Sequence, residues 1–161
     1  MDKILEILEK DARTTADEIA KMTGSNVKEV SKAISQYEKS GVILKYKAII
    51  NKDKCEETGQ RVRALIEVKV APEKDKGFDA VAQRIYLYPE VSSCYLVSGG
   101  YDLLLVVEGK DLLTVAKFVA EKLSPMEHIR ATSTHFLLKK YKEDGDILQS
   151  NEEDKRIPIS L

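Results

Sequence analysis

The stretch TADEIAKMTGSNVKEVSKAISQYEKSG, Thr15–Gly41, decides how the first half of this chain folds. Thr15 and Glu18 have the spacing of a capping box, in which a hydroxyl and a carboxylate three residues apart satisfy each other's free backbone amides. That spacing predicts a short helix running to about Met22. Gly24 then stands where a helix ends in a left-handed turn, a conformation that glycine adopts without steric cost. Asn26 and Glu29 repeat the box and open a longer helix to about Ser40, where Gly41 stops it. Two helices joined by a glycine-bearing turn of about four residues have the size and chemistry of a helix-turn-helix.

Upstream, Ile4, Leu5, Ile7 and Leu8 recur with helical spacing, as do Ile19, Ala20 and Met22 in the short helix. Downstream, VILKYKAII (Val42–Ile50) alternates weakly and is expected to supply the strands of a wing. On the longer helix, Val30, Ala33, Ile34 and Tyr37 share the side that packs inward. Opposite them, within a sector of roughly 100°, lie Lys28, Ser31, Lys32, Ser35 and Lys39. Glu29 and Glu38 fall at the edges of that sector. Lysines suit phosphates and small hydroxyls suit base edges, so this face fits a DNA groove. A plainly solvated helix face carries the same residue types.

Bulk composition narrows the classes further. With 161 residues, 43% hydrophobic and 33% charged, the chain is an ordinary globular one. Its net charge of −1 hides an asymmetry: residues 1–54 carry eleven Lys/Arg against nine Asp/Glu. The N-terminus MDKILEILEK has no apolar signal core, and no segment approaches the roughly 18 apolar residues of a membrane span. A cytoplasmic protein without a membrane partner is therefore expected. Two cysteines, Cys55 and Cys94, cannot make a disulfide scaffold and agree with a reducing compartment. The polar NKDKCEETGQR, 51–61, reads as a linker. The expected organisation is a DNA-binding domain over 1–50, that linker, a regulatory domain over 62–142 and a loosely held tail over 143–161.

After the linker the hydrophobic period changes from helical to two. Val62, Ala64, Ile66, Val68 and Val70 alternate with Arg63, Glu67 and Lys69, as a half-buried strand requires. Phe78, Val81, Ala82 and Ile85 then mark one face of a helix. EVSSCYLV and DLLLVVEG read as strands on either side of a glycine loop. Asp111 caps a helix whose inward face is expected to be Leu112, Ala116, Val119 and Leu123. A long strand within PMEHIRATSTHFLLKKY closes the unit. This β-α-β-β-α-β order is that of the ferredoxin-like split motif, so the chain is α+β. Such a sheet carries both helices on one side and leaves the other bare. Self-association, with a two-fold dimer as the commonest form, covers it.

The N-terminal pattern KILEILEKDARTTADEIAKMTGSNVKEVSKAISQYEKSGVILKYKAII resembles the winged helix-turn-helix of Lrp/AsnC (feast/famine) transcriptional regulators. SGGYDLLLVVEG and TSTHFLLKKY are similar to that family's regulatory domain. The resemblance covers about Lys3 to Tyr141 and rests on both halves together. It implies a cytoplasmic, sequence-specific DNA-binding regulator whose homodimers assemble further, often to octamers. It also implies that an amino acid or related metabolite is sensed in a cleft between regulatory domains. Two features depart from the pattern: Thr23 and Ser25 flank the turn glycine where the family usually has apolar residues. AISQYE stands where an arginine-rich run is common.

The loop SGGYD, Ser98–Asp102, raises a separate question. A phosphate-cradling glycine loop normally leads into a helix N-terminus, whereas this one leads into a strand, which argues against a nucleotide. Exposed amides suit a ligand carboxylate and Asp102 suits an ammonium, so the pair fits an α-amino acid. A tight connection with Asp102 bonded to its own turn explains the same residues. The resemblance places Gly99, Gly100, Tyr101 and Asp102 in the family's effector cleft, with Thr132, Ser133 and Thr134 lining it.

Other chemistry is sparse. His128 and His135 lie on or beside one strand with no cysteine pair near them, so no metal is expected. No nucleophile–base arrangement suggests an enzyme, and nothing asks for a cofactor. A small-molecule sensor acting through protein partners, with little DNA affinity, is the alternative reading.

Overall fold

Capping chemistry places the first three helices. In the computed structural model, which describes residues 2–51, 61–71 and 77–148, α1 (Lys3–Lys10) starts at Asp2, whose side chain accepts from the Ile4 amide at 2.9 Å. α2 (Ala16–Thr23) opens with the expected reciprocal box. The Glu18 amide donates to Thr15 Oγ1 at 3.3 Å, and the Thr15 amide to Glu18 Oε2 at 2.8 Å. Gly24 ends it at φ +69°, in the left-handed region. α3 (Val27–Ser40) begins at Asn26, but that side chain accepts from the Lys28 amide at 2.8 Å. It caps one residue earlier than a box requires, and Glu29 does not return the bond. Leu8, Ile19, Ala20 and Val30 form the small core, with Ile4, Ile7, Ile34 and Ile43 packed on it.

The segment after α3 departs from expectation. Ile43 packs on the helices and its amide bonds to the Tyr37 carbonyl at 3.0 Å, yet residues 44–50 run on without strand pairing. A wing needs a second strand to satisfy its backbone groups, and no described segment of this unit supplies one. The extended residues are held by a side chain instead: the Tyr46 hydroxyl donates to Glu38 Oε1 at 2.9 Å. The unit with these helices spans Met1–Ile50, and the rest of the chain forms a second. Residues 52–60 of the linker reading, with Cys55, and residues 149–161 of the tail lie outside the described residues.

The second unit carries the expected order: β1 (Val62–Val70), α4 (Asp79–Tyr86), β2 (Val91–Leu96), β3 (Leu103–Gly109), α5 (Leu112–Lys117) and β4 (Ile129–Phe136). Its antiparallel sheet runs β2-β3-β1-β4. Ala64, Ile66, Val68 and Val70 of β1 are all buried with Leu103, Leu105 and Val107 of β3, beneath Val81 and Ile85 of α4. The opposite face carries Arg63, Leu65, Glu67 and Lys69 of β1 with Leu104, Val106 and Glu108 of β3, since residues paired across an antiparallel ladder share a face.

Two expectations for this half need correction. Leu112 and Ala116 are exposed, and the inward residues after Asp111 are Val115, Phe118 and Leu123, with Val119 partly buried. The cause is a π-helix over Phe118–Leu123, marked by the Ser124 amide bonding back to the Val119 carbonyl at 2.8 Å. The wider turn brings Phe118 and Leu123, five apart, onto one face, which 3.6-residue periodicity does not anticipate. The reading that began a loose tail at residue 143 cuts through a hairpin. β5 (Lys142–Glu143) pairs with β6 (Asp146–Ile147) around Asp144 and Gly145, both at positive φ.

Candidate functional site

Four of the five α3 residues singled out from the sequence are exposed. Lys28, Ser31, Lys32 and Lys39 are exposed on α3, Ser35 is half-buried, and Val30 is fully buried on the other side. Among the described residues none of the three lysine side chains has a hydrogen-bond or ion-pair partner. Glu38, at the edge, is engaged by Tyr46. The Tyr37 hydroxyl donates to the carboxylate of Asp2, lowering that carboxyl below its usual range and tying the start of α1 to α3. A cationic face on a helix tethered by Tyr37 and Glu38 can accept phosphates without first breaking internal ion pairs.

The glycine loop lies where β2 turns into β3. Its ends are closed by two backbone bonds, Val97 amide to Asp102 carbonyl at 2.9 Å and Asp102 amide to Val68 carbonyl at 3.0 Å. Between them the amides of Ser98, Gly99, Gly100 and Tyr101 have no partner among the described residues. Gly99 has φ +154° and Gly100 does not have a positive φ, so only the first uses glycine's freedom. A side chain at either would meet nothing within 4 Å.

Asp102 answers part of the question about this loop. Its Oδ2 accepts from the Val70 amide at 2.8 Å. The β1–β3 ladder ends at Val68 opposite Leu103, so the carboxylate takes the next inward amide of β1 in place of a carbonyl. The Asp102 side chain is thus bonded to the neighbouring strand and not to its own turn, and one carboxylate oxygen is committed. Sequence reasoning missed this bond because it depends on a register that no local pattern reveals.

The three hydroxyl residues of β4 do not act as one group. Thr132 pairs with Val68 and Thr134 with Ile66, so both face the helices and are half-buried. Ser133, opposite Glu67, is exposed on the other face, 3.3 Å from His135 Nε2, which is itself 3.4 Å from Glu67 Oε1. β1 lies between β4 and the loop, so within one chain these residues stand two strand spacings, about 9–10 Å, from the line of β3.

A second cluster went unforeseen. Arg63, on the sheet face away from the helices, meets Glu108 at 3.3 Å and Glu143 of the hairpin, and Lys140 donates to both Glu143 oxygens at 2.8 and 3.0 Å. The Asn51 carboxamide donates to the Leu148 carbonyl at 2.6 Å just beyond the hairpin. Nothing local in the sequence pairs residues 63 and 143.

Comparison with known proteins follows both halves. The family model for the Lrp/AsnC ligand binding domain matches residues 63–147, and that for a winged helix-turn-helix DNA-binding domain matches residues 3–43. The chain is 46% identical over 158 residues to an uncharacterized HTH-type transcriptional regulator of Bacillus subtilis, YugG, covering 98% of this chain and 95% of that one. It is 31% identical to the HTH-type transcriptional regulator FL11 of Pyrococcus furiosus, covering 90% and 91%. A transcriptional regulator of Neisseria meningitidis, crystallised as a complex with L-Met, superposes with a TM-score of 0.68 at 25% identity, covering 88% of this chain and 89% of that one.

Proposed function

We propose that this chain, which belongs to the Lrp/AsnC family of transcriptional regulators, is a cytoplasmic, amino-acid-responsive regulator that lays α3 on double-stranded DNA. Lys28, Lys32 and Lys39 meet phosphates, and Ser31 and Ser35 approach base edges. The observation that carries this reading is the capped helix α3 with three lysines whose side chains lack any internal partner among the described residues.

The sensing half follows from the loop. Four unpartnered amides, Ser98 to Tyr101, suit a carboxylate, and the Asp102 oxygen not bonded to Val70 suits an ammonium. An α-amino acid carries both groups, and the L-Met complex of the Neisseria relative supports that class. Thr132, Ser133 and Thr134 stand a strand away from the loop, so a cleft using both takes in a second copy. The sheet face away from the helices, with Leu65 and Leu104 only partly buried within one chain, supports a two-fold dimer, and dimers then build the octamer.

Titration calorimetry of the twenty amino acids against the full chain tests the site. Asp102→Asn retains an oxygen able to accept from the Val70 amide but loses the charge. Its affinity for the responsive amino acid is expected to fall roughly ten- to hundredfold at an unchanged melting temperature. Equal affinity, or no binding of any amino acid to the wild type, contradicts the assignment.

A further inference from the structure

One exposed side chain of α3 has a chemistry that its lysines and serines lack. Gln36 is exposed and, among the described residues, its carboxamide has no partner. It follows Lys32 by four residues and Glu29 by seven, so the three share a stripe along one edge of the helix face. Lysine only donates, and a serine hydroxyl is short and free to rotate, so neither reads a donor–acceptor pair at a fixed spacing. A glutamine carboxamide holds one donor and one acceptor in a plane and matches N7 and N6 of adenine in the major groove. A base edge is the partner whose chemistry this carboxamide matches.

We propose that Gln36 is a specificity-determining residue, its carboxamide reading an adenine while Lys28 and Lys32 hold the backbone. The proposal rests on the DNA reading of α3 and adds to it the identity of a base.

The test is selection of full-length protein against a duplex DNA library with a randomised core, run in parallel for wild type, Gln36→Ala and Gln36→Glu. The wild type is expected to enrich a site with an adenine that Gln36→Ala no longer selects. Discrimination at that position should fall by about tenfold or more while the rest of the site persists. Gln36→Glu should shift the same position toward cytosine, whose N4 donates to a carboxylate. Such a switch does not arise from a merely structural role, and Gln36 is exposed, so both variants are expected to melt like the wild type. An enriched site identical in all three proteins overturns the proposal while leaving the DNA reading intact. Failure of the wild type to bind any duplex overturns both.

Discussion

A single carboxylate, Glu143, ties the last hairpin to the sheet. Lys140 first, and Arg63 after it, hold its pKa down to about 2 from an ordinary 4.5. A carboxyl whose folded pKa is depressed stabilises the fold above its unfolded pKa and loses that contribution as pH falls through the folded value. The stability difference between wild type and Glu143→Gln is therefore expected to be level from neutral pH to about 5. It then shrinks between about 5 and 2 and disappears below. Charge-assisted hydrogen bonds on a partly exposed carboxylate make this about 1–2 kcal/mol at neutral pH, read as a shift of the urea midpoint. A difference that persists unchanged at pH 2 shows that the carboxylate's charge is not what holds the hairpin.

At the scale of elements, close packing of α5 on the end of β3 makes a sharper demand than the exposed glycine loop. A Cβ at Gly109 would stand 3.0 Å from Val115 Cγ2 and 3.2 Å from Thr114, whereas one at Gly100 meets nothing within 4 Å. Gly109→Ala is expected to cost about 1–3 kcal/mol in urea unfolding, because Val115 is buried and cannot withdraw. Gly100→Ala is expected to be close to neutral, and equal costs would refute this packing. Which of these elements can be read from sequence follows from how local their cause is. The alternation of Ala64, Ile66 and Val68 fixes the buried face of β1, and the Thr15–Glu18 box fixes the start of α2, because period and caps act within a few residues. The face of α5 is misread at Leu112 and Ala116, since the π-turn after it is set by tertiary packing. The Asp102–Val70 bond and the Arg63–Glu143 pair both depend on partners far along the chain. In the candidate sites, the lysine face of α3 was legible for the same reason that its core was. The separation of Ser133 from Thr132 and Thr134 follows from strand alternation, whereas their distance from the loop needed the strand order.

On the whole molecule, charge and architecture divide the work. The weak basic excess lies in the first 54 residues, and within it the exposed face of α3 concentrates Lys28, Lys32 and Lys39. On the reading proposed above, the second unit carries the sensing loop and self-association supplies two copies of α3 for one pseudo-palindromic site. The central claim is that DNA is held through α3, and its most direct test is the salt dependence of binding by full-length wild type and a Lys28→Ala, Lys32→Ala double variant. Each phosphate contact contributes about 0.9 to the slope of log affinity against log salt. The account predicts weaker binding by the variant and a slope shallower by roughly 2 for each protomer engaged. An unchanged slope with unchanged affinity would mean that another surface of the protein holds the DNA.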